Sequence, residues 1–151
     1  MRTENKLSYS PGLEGVIAGE TSVSRVDPEA GLIYRGYDIV ELATHASFEE
    51  VVWLLLHGEL PNMSQLADLS RQLVEEHHVP PRLLDVLRLL PAEMHPIDNL
   101  RTAISALAAY DPELNDDSSA ANLRKAVRLI AKTACLVGHG WRLAHVLATT
   151  N

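Results

Sequence analysis

Cysteine is scarce in this sequence, because Cys135 is the only one in 151 residues. A single thiol excludes an internal disulfide and a zinc site built from cysteines. Its neighbours, Thr133-Ala134 and Leu136-Val137, are mostly apolar. Since free cysteine behaves as a small apolar side chain, we expect Cys135 to pack in the core rather than act as a nucleophile.

Long apolar runs and an excess of positive charge are also missing. No stretch approaches the ~18 apolar residues of a membrane span, and the polar first fifteen residues, broken by Pro11 and Gly12, do not resemble a signal peptide. Acidic residues number 20 against 13 Lys and Arg, which gives a formal charge of -7. Because phosphate binding requires concentrated Lys and Arg, we predict no nucleic-acid partner. From the lack of a signal-peptide pattern and of a long apolar run, we predict a cytoplasmic protein without a membrane partner.

Motifs for common catalytic and metal sites are absent as well. The sequence has no Gly-x-Ser-x-Gly elbow, no glycine-rich phosphate loop and no His-x-x-x-His pair. His77 and His78 are adjacent and would point ~100° apart on a helix. The other histidines considered are the widely spaced pair His139 and His145, and His45 and His57 near predicted helix ends. We therefore predict no metal site.

His95 is the histidine with the most informative position, because it directly precedes Pro96 at a predicted helix start. The positive end of a helix favours a neutral imidazole there. A role in starting the helix is favoured over a role in binding, and no residue is predicted to be catalytic.

The remaining pattern predicts a mainly α fold with a short N-terminal β-hairpin at about residues 16–35. Val16 to Val26 and Leu32 to Tyr34 are rich in strand formers, and the segment between them contains Pro28 and Gly31. Two strands alone are marginal in water, so the hairpin requires a larger support.

Helices are predicted from about residue 38 to residue 147. Asp38 caps the first, and Ser47 begins a capping box for the second. The predicted helices are 38–43, 48–56, one from Asn62 or Ser64 to Pro80-Pro81, 82–90, 97–110 with Pro96 in its first turn, and 120–147. Segment 82–90 is apolar on more than one face and is expected to be buried between neighbours, and Gly138-His139-Gly140 is expected to interrupt or kink the last helix.

Five motifs in a fixed order carry a family resemblance. They are GLEGVIAGETSVSRVD, GLIYRGYDIVELA, SFEEVVWLLLHGELP, HPIDNLRTAISALAAYDPE and RLIAK, which together cover about residues 12–132. In this order they resemble the N-terminal part of the large domain of citrate synthase, of the bacterial type that includes 2-methylcitrate synthases.

The resemblance implies a nearly all-helical homodimeric enzyme that condenses acetyl-CoA with oxaloacetate to give citrate and CoA. Acetyl-CoA is a substrate there, and no cofactor is implied. In such enzymes one histidine and one aspartate deprotonate the acetyl methyl group, a second histidine activates the keto acid, and arginines hold carboxylates. The corresponding strings, resembling GPLHGGA and GHxVY, do not occur in this sequence. No catalytic role is transferred to His139, and the chain alone is predicted to be inactive.

The resemblance also implies a role for the joint Arg35-Gly36-Tyr37-Asp38. We expect a corner at which Gly36 turns the chain from strand into helix and Asp38 caps that helix, with a supporting subunit contact as the alternative role of Arg35. Trp141-Arg142 resembles an aromatic and basic pair at the end of the family's long helix.

Two functional classes remain open from sequence. The first is a segment of a citrate synthase, or of a 2-methylcitrate synthase that uses propionyl-CoA, which needs a second polypeptide or further chain for its chemistry. The second is a non-enzymatic helical protein that pairs with a citrate synthase subunit. The ending at Asn151 departs from the family pattern, and an early stop, a frameshift, a split gene or an artificial cut of a longer sequence would each produce it. The isolated chain is expected to expose apolar surface and to self-associate or behave as a molten globule.

Overall fold

The computed structural model describes residues 12, 15–17, 19–29 and 31–148, with the side chains of 144 and 146–148 left out. The polar start of the sequence through Pro11 and the last three residues lie outside the described part. Three short strands precede six α-helices in the described ranges, so the predicted mainly α fold is confirmed. The strands are β1 (Ser24–Asp27), β2 (Gly31–Tyr34) and β3 (Tyr37–Asp38). The helices are α1 (Ile39–His45), α2 (Phe48–His57), α3 (Met63–Glu76), α4 (Pro81–Arg88), α5 (Pro96–Leu107) and α6 (Ser119–Ala148).

The chain divides into two compact units, of which the first ends at Ser47 and the second begins at Phe48. The first contains the strands and α1, and the second contains α2 to α6. In the part of the chain that the structure describes, no helix is both long and apolar enough to cross a bilayer.

The predicted hairpin is present, but its first strand is shorter than expected. β1 pairs antiparallel with β2 from Ser24 opposite Tyr34 to Asp27 opposite Gly31. Residues 16, 17 and 19–23 are not in a strand. Because β2 offers only four residues for pairing, it can satisfy the backbone of only four residues in β1.

The Arg35-Gly36 joint is a corner, as predicted, but it lies between two strands rather than between a strand and a helix. Tyr34 pairs with Tyr37, which leaves Arg35 and Gly36 as a two-residue hairpin loop with φ values of 48° and 93°. Two-residue loops with positive φ at both positions match the twist of the flanking strands. The Arg35 N–H donates to the Val23 carbonyl oxygen (2.9 Å), and Arg35 Nη1 donates to Ser22 Oγ (2.6 Å).

Asp38 caps α1 as predicted. Its Oδ1 accepts hydrogen bonds from the backbone N–H groups of Val40 (2.8 Å) and Glu41 (3.1 Å). α1 extends through His45, two residues past the predicted end at Ala43. A cap of this kind satisfies backbone donors that have no partner within the helix.

Local sequence signals also define α2 and α3. α2 ends at His57, and the Gly58 N–H donates to the Leu54 carbonyl oxygen (2.8 Å) with Gly58 at φ 93°. Asn62 and Gln65 form a reciprocal capping box at the start of α3. α3 stops at Glu76, before the predicted limit at Pro80-Pro81, and Pro81 instead occupies the first turn of α4.

Two apolar clusters form the interior of the second unit. One contains Val79, Leu83, Leu87, Ala103, Leu107 and Leu136, and the other contains Val52, Leu69 and Val127. The prediction that segment 82–90 is buried on several faces is only partly correct. Leu83 and Leu87 are buried, whereas Val86 and Leu89 are exposed, the latter to 86%. One helix face therefore packs in the core and the other remains uncovered in this chain.

The last helix, α6, is continuous, so an interruption at Gly138-His139-Gly140 is wrong, whereas the alternative, a kink there, stays a prediction. Glycine weakens a helix interior by about 1 kcal/mol relative to alanine but does not prevent the helix. Gly140 also has a packing role, because a Cβ there would lie 2.9 Å from Oδ1 of Asn99 on α5. The absence of a side chain at Gly140 lets the two helices approach, whereas Gly138 faces open space.

Ion pairs attach the connection between α5 and α6 to α6 itself. Arg128, with only 13% of its side chain exposed, donates from Nη2 to Asp111 Oδ1 and to Glu113 Oε2, each at 2.8 Å. Arg124 Nε also donates to Glu113 Oε1 and Oε2, at 3.0 and 3.1 Å. Lys132 Nζ donates hydrogen bonds to the carbonyl oxygen (2.6 Å) and to Oε2 (3.0 Å) of Glu76, and these bonds connect the end of α3 to α6.

This network changes the acidity of its carboxyl groups. Hydrogen bonds from Arg124 and then Arg128 lower the pKa of Glu113 to about 2. At Asp111, burial opposes ionisation, but hydrogen bonds from Arg128 and from the Glu113 backbone lower its pKa on balance. Both groups are therefore anionic at neutral pH and hold the connection in place.

We expect Gly138→Ala to stabilise the chain by up to about 1 kcal/mol, because the new methyl group meets open space and alanine is the better helix former. Gly140→Ala should stabilise the chain less, since the Asn99 side chain must move to make room for the new methyl group. Urea unfolding at low protein concentration, followed by helical circular dichroism, measures both changes. In an Asn99→Ala background, Gly140→Ala should raise the free energy of unfolding by about as much as Gly138→Ala does. Equal effects of Gly140→Ala in both backgrounds would contradict the proposed close approach.

The Glu113 ion pairs predict a defined loss of stability in acid. Because the folded-state pKa is about 2 and the ordinary value is 4.5, their contribution is complete above pH 4.5 and is lost as the pH falls towards 2. Glu113→Gln should flatten this part of the stability profile, measured as the urea midpoint against pH. Glu59→Gln, at an exposed position, is the control and should leave the profile unchanged. Identical profiles for the Glu113→Gln and Glu59→Gln variants would rule out Glu113 as the group whose protonation causes this loss of stability.

Candidate functional site

An apolar groove lies on the second unit. It lies between the α4–α5 connection, the first turns of α5 and the C-terminal half of α6, and its volume is about 540 Å³. The described residues that line it include no Asp, Glu, Lys or Arg, and their polar side chains are those of His95, Asn99 and His145. Substrates that carry carboxylates are normally held by cations. The lining therefore suits contact with an apolar surface better than binding of such a substrate.

His95 is the N-cap of α5 and is among the residues that line this groove. Its Nδ1 accepts a hydrogen bond from the Ile97 N–H at 3.3 Å, and Pro96 occupies the first helical position. An accepting Nδ1 carries no proton in this contact. The predicted role of His95 in starting the helix is confirmed.

Trp141 and His145 stand one turn apart on α6, where both line the groove. Their ring centroids are 3.6 Å apart, and His145 Nδ1 lies 2.9 Å from the Trp141 carbonyl oxygen. Because a carbonyl oxygen only accepts, Nδ1 of His145 carries the proton. These contacts orient the imidazole within its own helix.

Three further histidines and Cys135 also have local structural contacts. His45 Nδ1 lies 3.1 Å from the Glu41 carbonyl oxygen, His77 contacts the Val74 carbonyl oxygen, and the His57 ring stacks on Trp53 at 3.9 Å. Cys135 is partly buried and packs against the cluster that contains Leu136, which agrees with the predicted core role. Within the described ranges, no group of three or more His, Cys, Asp and Glu side chains is arranged to hold a metal ion.

A second cavity, of about 390 Å³, lies beside the end of α5 and the middle of α6. Its lining includes the cations Lys125, Arg128 and Lys132. Each already has a partner: Lys125 Nζ donates to the Asp116 carbonyl oxygen (2.6 Å), and the other two are in the ion pairs described above. These cations therefore hold the fold together, and a bound anion would have to compete with the chain's own oxygens.

Sequence reasoning did not identify the residues of the ion-pair network or the face of α6 that lines the groove. The available signal was the sequence Asp111-Pro112-Glu113 followed by Arg124 and Arg128 four residues apart. Residues four apart share one helix face. Which acidic residues reach that face depends on the path of the connection, which the local pattern does not specify.

Comparison with known proteins gives consistent matches. The family model described as citrate synthase, C-terminal domain, matches residues 12–150. Citrate/2-methylcitrate synthase of Bacillus subtilis is 43% identical over 141 residues, covering 93% of this chain and 38% of that protein. For 2-methylcitrate synthase of Mycobacterium tuberculosis the identity is 42% over 135 residues, covering 89% and 34%. The crystal structure of citrate synthase from Pyrobaculum aerophilum matches with a TM-score of 0.81 at 31% identity, covering 95% of this chain and 40% of that one.

The chain thus spans well under half the length of the relatives it matches, while the family similarity extends over nearly all of its own length. The helical fold agrees with that similarity, since the superposition on the Pyrobaculum aerophilum enzyme covers 95% of this chain. The resemblance inferred from five ordered motifs is confirmed: this chain belongs to the citrate synthase family.

Proposed function

We propose that this chain is the N-terminal segment of the large domain of a citrate synthase, and that it supplies helical framework rather than catalytic groups. The observation that supports this most directly is the match of nearly the whole chain to about 38% of the length of a curated relative. The motif order of the sequence supports the N-terminal position. The strings that resemble the family's catalytic histidine motifs do not occur among the 151 residues.

The activity proposed for the completed protein is the condensation of acetyl-CoA with oxaloacetate to give citrate and CoA. Propionyl-CoA as the acyl donor, with 2-methylcitrate as the product, is the second candidate, because the relatives carry both names. We propose that the completed protein works in the cytoplasm as a homodimer and needs no cofactor besides its substrates.

The exposed apolar surface of the second unit supports a framework role. Around the groove, Ile97 is 60% exposed, Val137 53% and Trp141 62%, and Leu89, directly after the end of α4, is exposed to 86%. Monomeric proteins rarely expose contiguous apolar patches of more than a few hundred Å². We propose that the remainder of the family fold covers this surface in the complete protein.

The chain by itself is expected to release no CoA from acetyl-CoA and oxaloacetate. A reagent that detects free thiols measures the release, with the Bacillus subtilis relative as the active control. Cys135→Ser removes the chain's own thiol and therefore the background reaction. Release by the Cys135→Ser chain that requires oxaloacetate and follows the chain through gel filtration would contradict the proposed lack of catalytic groups.

The uncovered groove predicts self-association of the isolated chain. Sedimentation velocity should show an average mass that rises with concentration, and Trp141→Gln should reduce this rise because it removes the largest exposed apolar side chain of the groove. Arg142→Gln is the matched control, since Arg142 is the adjacent exposed residue on α6 and does not line the groove. A monomer at all concentrations with a sharp two-state melt would contradict the framework role.

Complementation tests the proposed function directly. Coexpression with the part of the Bacillus subtilis relative that lies beyond the region matched here should give a stable complex that releases CoA. The ratio of rates with acetyl-CoA and propionyl-CoA would then identify the acyl donor of that complex. Trp141→Gln should weaken the complex, whereas Arg142→Gln should not. A stable complex without activity would favour a non-enzymatic pairing role, and the absence of any complex would contradict the proposed function.

A further inference from the structure

We draw no further inference here: the strongest candidate, the apolar groove between the α4–α5 connection and the C-terminal half of α6, is the surface already assigned to the remainder of the family fold, and nothing in the structure identifies another occupant for it.

Discussion

The packing of α6 against its neighbours is the interaction on which the second unit depends. Leu136 belongs to one apolar cluster and Val127 to the other, so a single helix joins the two interior regions. Full burial of a leucine side chain contributes about 1.5–3 kcal/mol. α6 is also about 45 Å long at 1.5 Å per residue, which allows it to contact α3, α4 and α5 along its length.

Besides this apolar packing, ion pairs fix the positions of the segments next to α6. Arg124, Arg128 and Lys132 lie along α6 and bind the α5–α6 connection and the end of α3. Exposed pairs contribute little to stability, but Arg128 is largely buried, and its fork contacts two carboxylates at once. The network fixes where the segments on either side of α6 lie, and it leaves these three cations engaged within the chain.

The proposed framework role accounts for the local contacts that the histidines make in the described part of the chain. His95 caps α5, and His145 lies against Trp141 of its own helix. The described lining of the apolar groove contains no Asp, Glu, Lys or Arg, and two of its residues, Ile97 and Trp141, remain exposed. Such a surface is typical of an interface within a larger fold rather than of a site for charged substrates.

The sequence by itself determined the elements whose signals are local. Asp38, Asn62 and Pro96 begin helices through caps and fixed φ angles, and the order of the motifs was sufficient to identify the family. Tertiary structure decided the rest, because those features depend on residues distant in sequence. The length of β1 follows from its partner strand, and Gly140 lies within a continuous helix beside Asn99. Which face of α4 is buried, and which carboxylates Arg128 binds, likewise required the packed chain, since a local pattern does not specify which elements meet.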